Sequence, residues 1–198
     1  MTPGGFRIFP ARLDPSEQRA LVDTVMASNA FYRPFTPGGK AMSVAMTNFG
    51  PLGWVTDSAG YRYEHRHPFT KAAWPPIPLV LIELWRELGD RLVPPDACLA
   101  NLYRKGARMG QHQDRDEADF SFPVMSVSLG DTAIFRIGGL SRGDPTRTVR
   151  LASGDVCVLS GEARLAYHGV DRIVAGSSRL VPGGGRLNLT LRRARPRP

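Results

Sequence analysis

Three side chains in this sequence have the types and spacing to grip a metal. His112-Gln113-Asp114 sets an imidazole and a carboxylate two residues apart, so on an extended strand both project from one face. His168 follows 54 residues after Asp114, in Tyr167-His168-Gly169. Two imidazoles and one carboxylate leave three coordination positions open, the ligand set that suits non-haem Fe(II) centres activating O₂. Zinc more often takes a closed tetrahedron or another histidine. His112, Asp114 and His168 are therefore the candidate metal ligands and catalytic centre.

A second chemical feature lies near the C-terminus. In Arg186-Leu187-Asn188-Leu189-Thr190-Leu191-Arg192 the even positions are polar and the odd ones are all Leu, the period of a strand with one polar and one apolar face. Two arginines turned inward are costly without anionic partners. A bound dicarboxylate would supply them, because planar guanidinium forks match carboxylates bidentately. Taken singly, each signal has a plain alternative: His-x-Asp arises by chance, and the alternating strand equally fits a solvated edge with its Leu face on a core. Their joint occurrence in this order argues against coincidence.

On these residues the chain resembles the AlkB family of Fe(II)- and 2-oxoglutarate-dependent dioxygenases, in its bacterial DNA-repair branch. The likeness extends from Met42-Ser43-Val44-Ala45-Met46-Thr47-Asn48, through Gly53-Trp54 and Gly60-Tyr61, to the end of the Arg186 to Arg192 strand. It implies that His112, Asp114 and His168 hold Fe(II), and that Asn101, Tyr103, Arg186, Asn188 and Arg192 surround 2-oxoglutarate. Asn101 and Tyr103, two apart, would share one face of a strand. For substrate it implies Trp54 as a base-stacking residue with His112 as the other side of the sandwich, Thr36, Tyr61 and Tyr63 at phosphate or sugar, Asp116 reading the exocyclic amino group, and Arg142 at the pocket rim. A carboxylate at Asp116 also suits a base made cationic by methylation. Leu159 departs from the larger aromatic residue that close bacterial relatives carry there, which bears on pocket size.

The implied reaction is O₂-dependent demethylation of N-alkylated bases such as 1-methyladenine and 3-methylcytosine, yielding succinate, CO₂ and formaldehyde. Alkylated DNA, single-stranded in preference, is the implied partner, with RNA as a further one. A related hydroxylase with a non-nucleic-acid substrate is the alternative; a metal- or nucleic-acid-binding module without catalysis would leave both residue sets without purpose.

The elements that must position these residues are legible in outline. Asp14-Pro15-Ser16-Glu17 is a helix start, with N-cap, Pro at the first position and Glu at the capping-box site. Leu21, Val22, Val25 and Met26 then form an apolar stripe. A second helix is predicted from Pro78 to Leu92, with Leu81, Leu84, Trp85, Leu88 and Leu92 on one face and Trp85 in the core. From Ala97 onward, short strands alternate with turn signals: 97–104, 124–129, 133–137, 146–151, 156–159, 164–167 and 187–193. Pattern alone reads as a β-sandwich or barrel; the family implies a double-stranded β-helix, or jelly roll, with N-terminal helices outside. The chain is read as one catalytic domain, 1–198: a helical extension and nucleotide-recognition lid over 1–95, the jelly-roll core over 96–193, and a basic, disordered tail over 194–198.

Residues 36–74, rich in Gly and aromatics, read as a loop-rich lid. Within it Phe49 and Phe69 are assigned to packing, and His65-Arg66-His67 to a surface loop rather than a second metal site. Cys98 and Cys157 sit in apolar, strand-like contexts and read as reduced core thiols.

The 198 residues suffice for one ordinary core, and no apolar run reaches membrane-spanning length. The first five residues carry none of the basic and apolar regions of a secretory signal. A monomeric cytoplasmic protein, bacterial in origin, is expected. The net charge of +8 favours a polyanionic partner. All but Lys40, Lys71 and Lys105 among the 26 basic residues are Arg, which a GC-rich genome explains equally well.

Overall fold

The computed structural model describes residues 4–28 and 30–198. Its strands are β1 (Phe6–Phe9), β2 (Ala45–Phe49), β3 (Gly53–Asp57), β4 (Gly60–Glu64), β5 (Ala97–Tyr103), β6 (Met109–His112), β7 (Val124–Gly130), β8 (Ala133–Ile137), β9 (Arg147–Leu151), β10 (Val156–Leu159), β11 (His168–Ile173) and β12 (Arg186–Arg192). The helices are α1 (Pro15–Ala27) and α2 (Leu79–Leu88), with a 3-10 turn at Gly161–Leu165. A six-stranded sheet runs β1-β10-β7-β12-β5-β2, and a four-stranded sheet runs β6-β11-β8-β9. Every pairing within them is antiparallel, and together they make the expected jelly roll.

The two faces of the six-stranded sheet do different work. Cys98, Ala100 and Leu102 of β5, Val127 and Leu129 of β7, and Leu187, Leu189 and Leu191 of β12 pack beneath α1 and α2, against Leu21, Val22, Val25, Leu81, Leu84 and Trp85. The alternate residues face the four-stranded sheet, where Leu99, Tyr103, Phe135, Ile137 and Val170 form a second core. Because side chains alternate with period 2, one register places the leucines under the helices and Arg186, Asn188, Thr190 and Arg192 between the sheets. Both cysteines are buried and free, as expected.

Helix α1 begins as its sequence requires: the Asp14 carboxylate accepts from the Ser16 and Glu17 amides, and Glu17 accepts from the Asp14 amide. Helix α2 stops at Leu88, short of the predicted Leu92, which is 88% exposed. Gly89 leaves helical geometry, and Asp90 then accepts from the Leu92 and Val93 amides in a local turn that competes with another helical turn. Of the predicted strand at 164–167, Arg164 and Leu165 end the 3-10 turn, Ala166 and Tyr167 are irregular, and the strand starts at His168.

The N-terminal half is less separate than expected. β1 and β2 close the two edges of the six-stranded sheet, and Phe49 lies in the helix-side core. The remaining lid is the β3–β4 hairpin and the segments flanking it. Nor is the basic tail loose. Asp96 accepts from the amides of Ala194 and Arg195 and pairs with the guanidinium groups of Arg193 and Arg195, while Arg197 reaches Asp90 and lies over Phe122. Composition suggested disorder; specific acidic partners overrode it. Among the described residues, no helix is long and apolar enough to cross a membrane.

Candidate metal centre and carboxylate clamp

His112 and His168 are brought together by direct strand pairing, opposite each other across β6 and β11, with ring centroids 4.6 Å apart. β6 ends at His112, so Asp114 stands just beyond the strand, on an irregular segment rather than on the extended strand its spacing suggested. It converges nevertheless: the ligand atoms of His112, Asp114 and His168 lie within 4.8 Å of one another. The Asp114 carboxylate sits 3.7 Å from His112 Nε2 through Oδ1 and 3.7 Å from His168 Nε2 through Oδ2.

The tautomers are set from behind. His112 Nδ1 faces the Gly110 carbonyl at 2.9 Å and His168 Nδ1 faces the Ala166 carbonyl at 2.9 Å. A carbonyl can only accept, so each Nδ1 carries the proton and each Nε2 offers a lone pair inward. Burial, with His112 alongside, pushes His168 down to about 4, which keeps it in the neutral, ligating form. Burial alone would raise Asp114, but Arg192, His168 and His112 together outweigh it and hold the carboxyl well below its usual range. Arg192 Nη2 donates to Asp114 Oδ1 at 2.8 Å. The donor set is preorganised for a divalent cation.

A cavity of about 1240 Å³ opens between the sheets beside this cluster. Arg186 forms part of its wall, 1% exposed, in register with Tyr103 of β5. Its Nη2 donates to Ser128 Oγ at 3.0 Å, but Nε and Nη1 have no acceptor. Burial lowers its pKa, since no carboxylate offsets the desolvation. A buried guanidinium with spare donors is the complement of a carboxylate that arrives from outside the chain. Asn101 lines the same wall with an unpartnered Oδ1, and burial raises Tyr103 to about 12, keeping its phenol a neutral donor. The spare Arg186 donors and the Tyr103 phenol fit a dicarboxylate, and Asn101 joins them with its amide nitrogen turned to the cavity. Asn188 also lines the cavity, but its amide donates to Ser126 Oγ and the Val127 carbonyl, so it braces the wall.

The residues singled out for substrate divide. Trp54 and Tyr61 are diagonal neighbours on the β3–β4 hairpin, stacked at 5.5 Å and 18°, and both line the cavity. Trp54 Nε1 donates to Asp116 Oδ2 at 2.7 Å, which fixes the indole and the carboxylate together. Asp116 is thus partnered by Trp54 rather than by its neighbour Arg115. Thr36 and Arg142 also border the cavity, Arg142 donating to the Gln111 carbonyl and lying over Tyr167. Leu159 is buried in the cavity wall.

Tyr63 is absent from that lining. It shares a face of the hairpin with Trp54 and Tyr61, but its hydroxyl donates to the buried Glu117, and burial raises it well above its usual value. His67 is not on the surface either: it is 5% exposed, tilted against Trp74 and Phe69, and its Nδ1 accepts from the Phe69 and Thr70 amides. That accepting nitrogen leaves it a structural residue. Phe69 touches Tyr32 edge-on but is 69% exposed, so it packs only at one edge.

Sequence reasoning missed Arg164 and Glu117. Both are buried and paired at 2.8 Å, and their signal was weak: an Arg in an apparent strand and a Glu in a loop.

Comparisons with known proteins place the chain in a family. The model of the 2OG-Fe(II) oxygenase superfamily matches residues 5–192. The chain is 65% identical over 195 residues to the alpha-ketoglutarate-dependent dioxygenase AlkB homolog of Caulobacter vibrioides, covering 96% of this chain and 88% of that protein. It is 44% identical over 177 residues to the alpha-ketoglutarate-dependent dioxygenase AlkB of Escherichia coli, covering 87% and 82%. The solved structure of OsALKBH1 superposes with a TM-score of 0.79 at 32% identity, covering 98% of each chain. The chain belongs to the AlkB family of 2-oxoglutarate-dependent dioxygenases within the 2OG-Fe(II) oxygenase superfamily, with Fe(II), 2-oxoglutarate and O₂ as the reactants its site must gather.

Proposed function

We propose that this enzyme, acting as a monomer, demethylates 1-methyladenine and 3-methylcytosine in DNA, single strands in preference, with RNA as a second polymer. The observation that carries this reading is the Trp54–Asp116 hydrogen bond at the edge of the metal-side cavity. It couples a flat aromatic face, suited to an unstacked base, to a carboxylate suited to a cationic, methylated ring and its exocyclic amine. When bound, iron and 2-oxoglutarate supply the O₂-activating redox chemistry, with 2-oxoglutarate leaving as succinate and CO₂.

The chain's own residues gather and orient. His112, Asp114 and His168 present Nε2, a carboxylate oxygen and Nε2 to the metal. Arg186 would hold the far carboxylate of 2-oxoglutarate through one guanidinium edge, aided by Tyr103 and Asn101. Arg192 faces the metal-side carboxylate while steadying Asp114. Trp54 stacks on the base and His112 closes the other side of the sandwich. Thr36 and Tyr61, at the cavity border, meet phosphate or sugar, and Arg142 contacts substrate at the rim. Tyr63 acts through Glu117 rather than on substrate. Leu159 leaves room in the wall, and the hairpin shields the site from water.

A related hydroxylase with a small-molecule or protein substrate would have no use for the Trp54–Asp116 pair. Succinate and formaldehyde formation should rise together when single-stranded DNA carrying 1-methyladenine is added. Succinate that ignores methylated DNA and RNA, but responds to another substrate class, would refute the proposal.

A further inference from the structure

The stretch from Asp114 to Phe122 carries a metal carboxylate and Asp116, yet no strand or helix lies within it. The Ala118 amide donates to the Ala194 carbonyl at 3.0 Å, but with no ladder along this backbone the rest of its hold must come from side chains. Arg164, buried, supplies three contacts from one planar group. Its Nη1 donates to the carbonyl of Asp114 at 2.6 Å, its Nε to the carbonyl of Phe122 at 2.8 Å, and its Nη2 to Glu117 Oε2 at 2.8 Å. Its guanidinium also lies 5.3 Å from the Phe120 ring centroid. Both ends and the middle of the stretch therefore converge on one side chain. Glu117 in turn accepts from the Tyr63 hydroxyl, and Tyr63 lies opposite Trp54 on the hairpin.

We propose that Arg164 is a positioning residue: it sets the Asp114 carboxylate for the metal by holding the backbone of 114–122, and Glu117 and Tyr63 tie the β3–β4 hairpin to the same clasp. Fold stability alone is a poor reason for this arginine, because a buried ion pair is often no better than an apolar pair of similar volume. Three acceptors in fixed directions are what a guanidinium fork satisfies and an ammonium does not. The role concerns the family's metal centre and holds whichever substrate the enzyme takes.

The test is anaerobic Mn(II) binding followed by electron paramagnetic resonance, with amide hydrogen exchange across 114–122. The variants are Arg164→Lys, and Arg164→Met combined with Glu117→Gln, which removes both charges while a side-chain oxygen still accepts from Tyr63. Val25→Ala, a core truncation beneath α1, serves as a thermal control. The expected result is Mn(II) binding weaker by about 10- to 100-fold in both Arg164 variants, the usual effect of removing a support behind a metal ligand. Exchange across 114–122 should quicken, while Val25→Ala binds as wild type despite a lower melting temperature. Either Arg164 variant binding Mn(II) within about threefold of wild type overturns the proposal. So does Val25→Ala losing as much affinity at equal thermal loss, since the effect would then be general destabilisation.

Discussion

Replacing Arg186 by Lys tests the carboxylate clamp without changing formal charge. Arg186 is buried, its Nη2 is committed to Ser128, and its Nε and Nη1 are left free toward the cavity. Each edge of the guanidinium pairs one of them with Nη2, which carries a second N–H beside the one given to Ser128, so one edge can still meet both oxygens of a carboxylate in parallel. Lysine supplies a single ammonium, which can meet one of them well. Hydrogen bonds involving charged groups contribute about 1.5–3 kcal/mol each, so losing one weakens 2-oxoglutarate binding roughly 10- to 150-fold. Burial adds to the loss, because an ammonium sheds its charge in a dry site more readily than a guanidinium does.

The assay is succinate formation against 2-oxoglutarate concentration, with direct binding of 2-oxoglutarate to the Mn(II) protein alongside. KM for 2-oxoglutarate should rise by that factor while kcat at saturating 2-oxoglutarate changes little, since the lost contact is made equally in ground and transition states. An unchanged KM and binding constant in a folded Arg186→Lys protein would refute the reasoning, because the free donors would then face nothing that binds.

Three further outcomes follow from particular contacts. Trp54→Ala should weaken capture of methylated DNA about 5- to 150-fold while leaving DNA-independent 2-oxoglutarate turnover, because the indole touches Tyr61 and Asp116 but no metal ligand; formaldehyde, succinate and melting temperature falling in parallel would instead mark it as a core residue. Burial raises the thiols of Cys98 and Cys157 to about 12, well above the unfolded value of about 8.5. The stability linked to these raised values is fully present below pH about 8.5 and is lost as pH rises toward the folded values, so melting temperature should fall across that window, and less so in the Cys98→Ala, Cys157→Ala double variant. Asp96→Ala should cost about 3 kcal/mol in urea unfolding, since it strands the Ala194 amide and leaves Arg193 without its acidic partner; a neutral result would show that the tail is not docked.

What could be read from the sequence was periodic or local. The Arg186 to Arg192 alternation survives folding because a strand has only two faces, and placing three leucines under the helices leaves the polar set no choice but the cavity. The capping box at Asp14 was legible for the same reason: all its partners lie within three residues. The readings that failed depended on distant partners. Nothing near Arg193 or Arg195 in sequence announces Asp96, and nothing near His67 announces the Tyr32 ring and the Ala30 carbonyl that meet it.

The metal site itself shows where the two kinds of information meet. His112 and His168 are juxtaposed by a sheet ladder, which composition and turn signals could suggest. Asp114 lies off the ladder, so its two-residue spacing from His112 was a correct clue resting on the wrong geometry. Strand alternation would have aimed it inward without further help; an irregular backbone does not, and the aim must come from Arg192 on its carboxylate and Arg164 on its carbonyl. A ligand placed by side chains is more exposed to single substitutions than one placed by a ladder. Changes behind Asp114 should therefore perturb metal binding more than equally destabilising changes behind His168, whose position follows from paired strands on both sides.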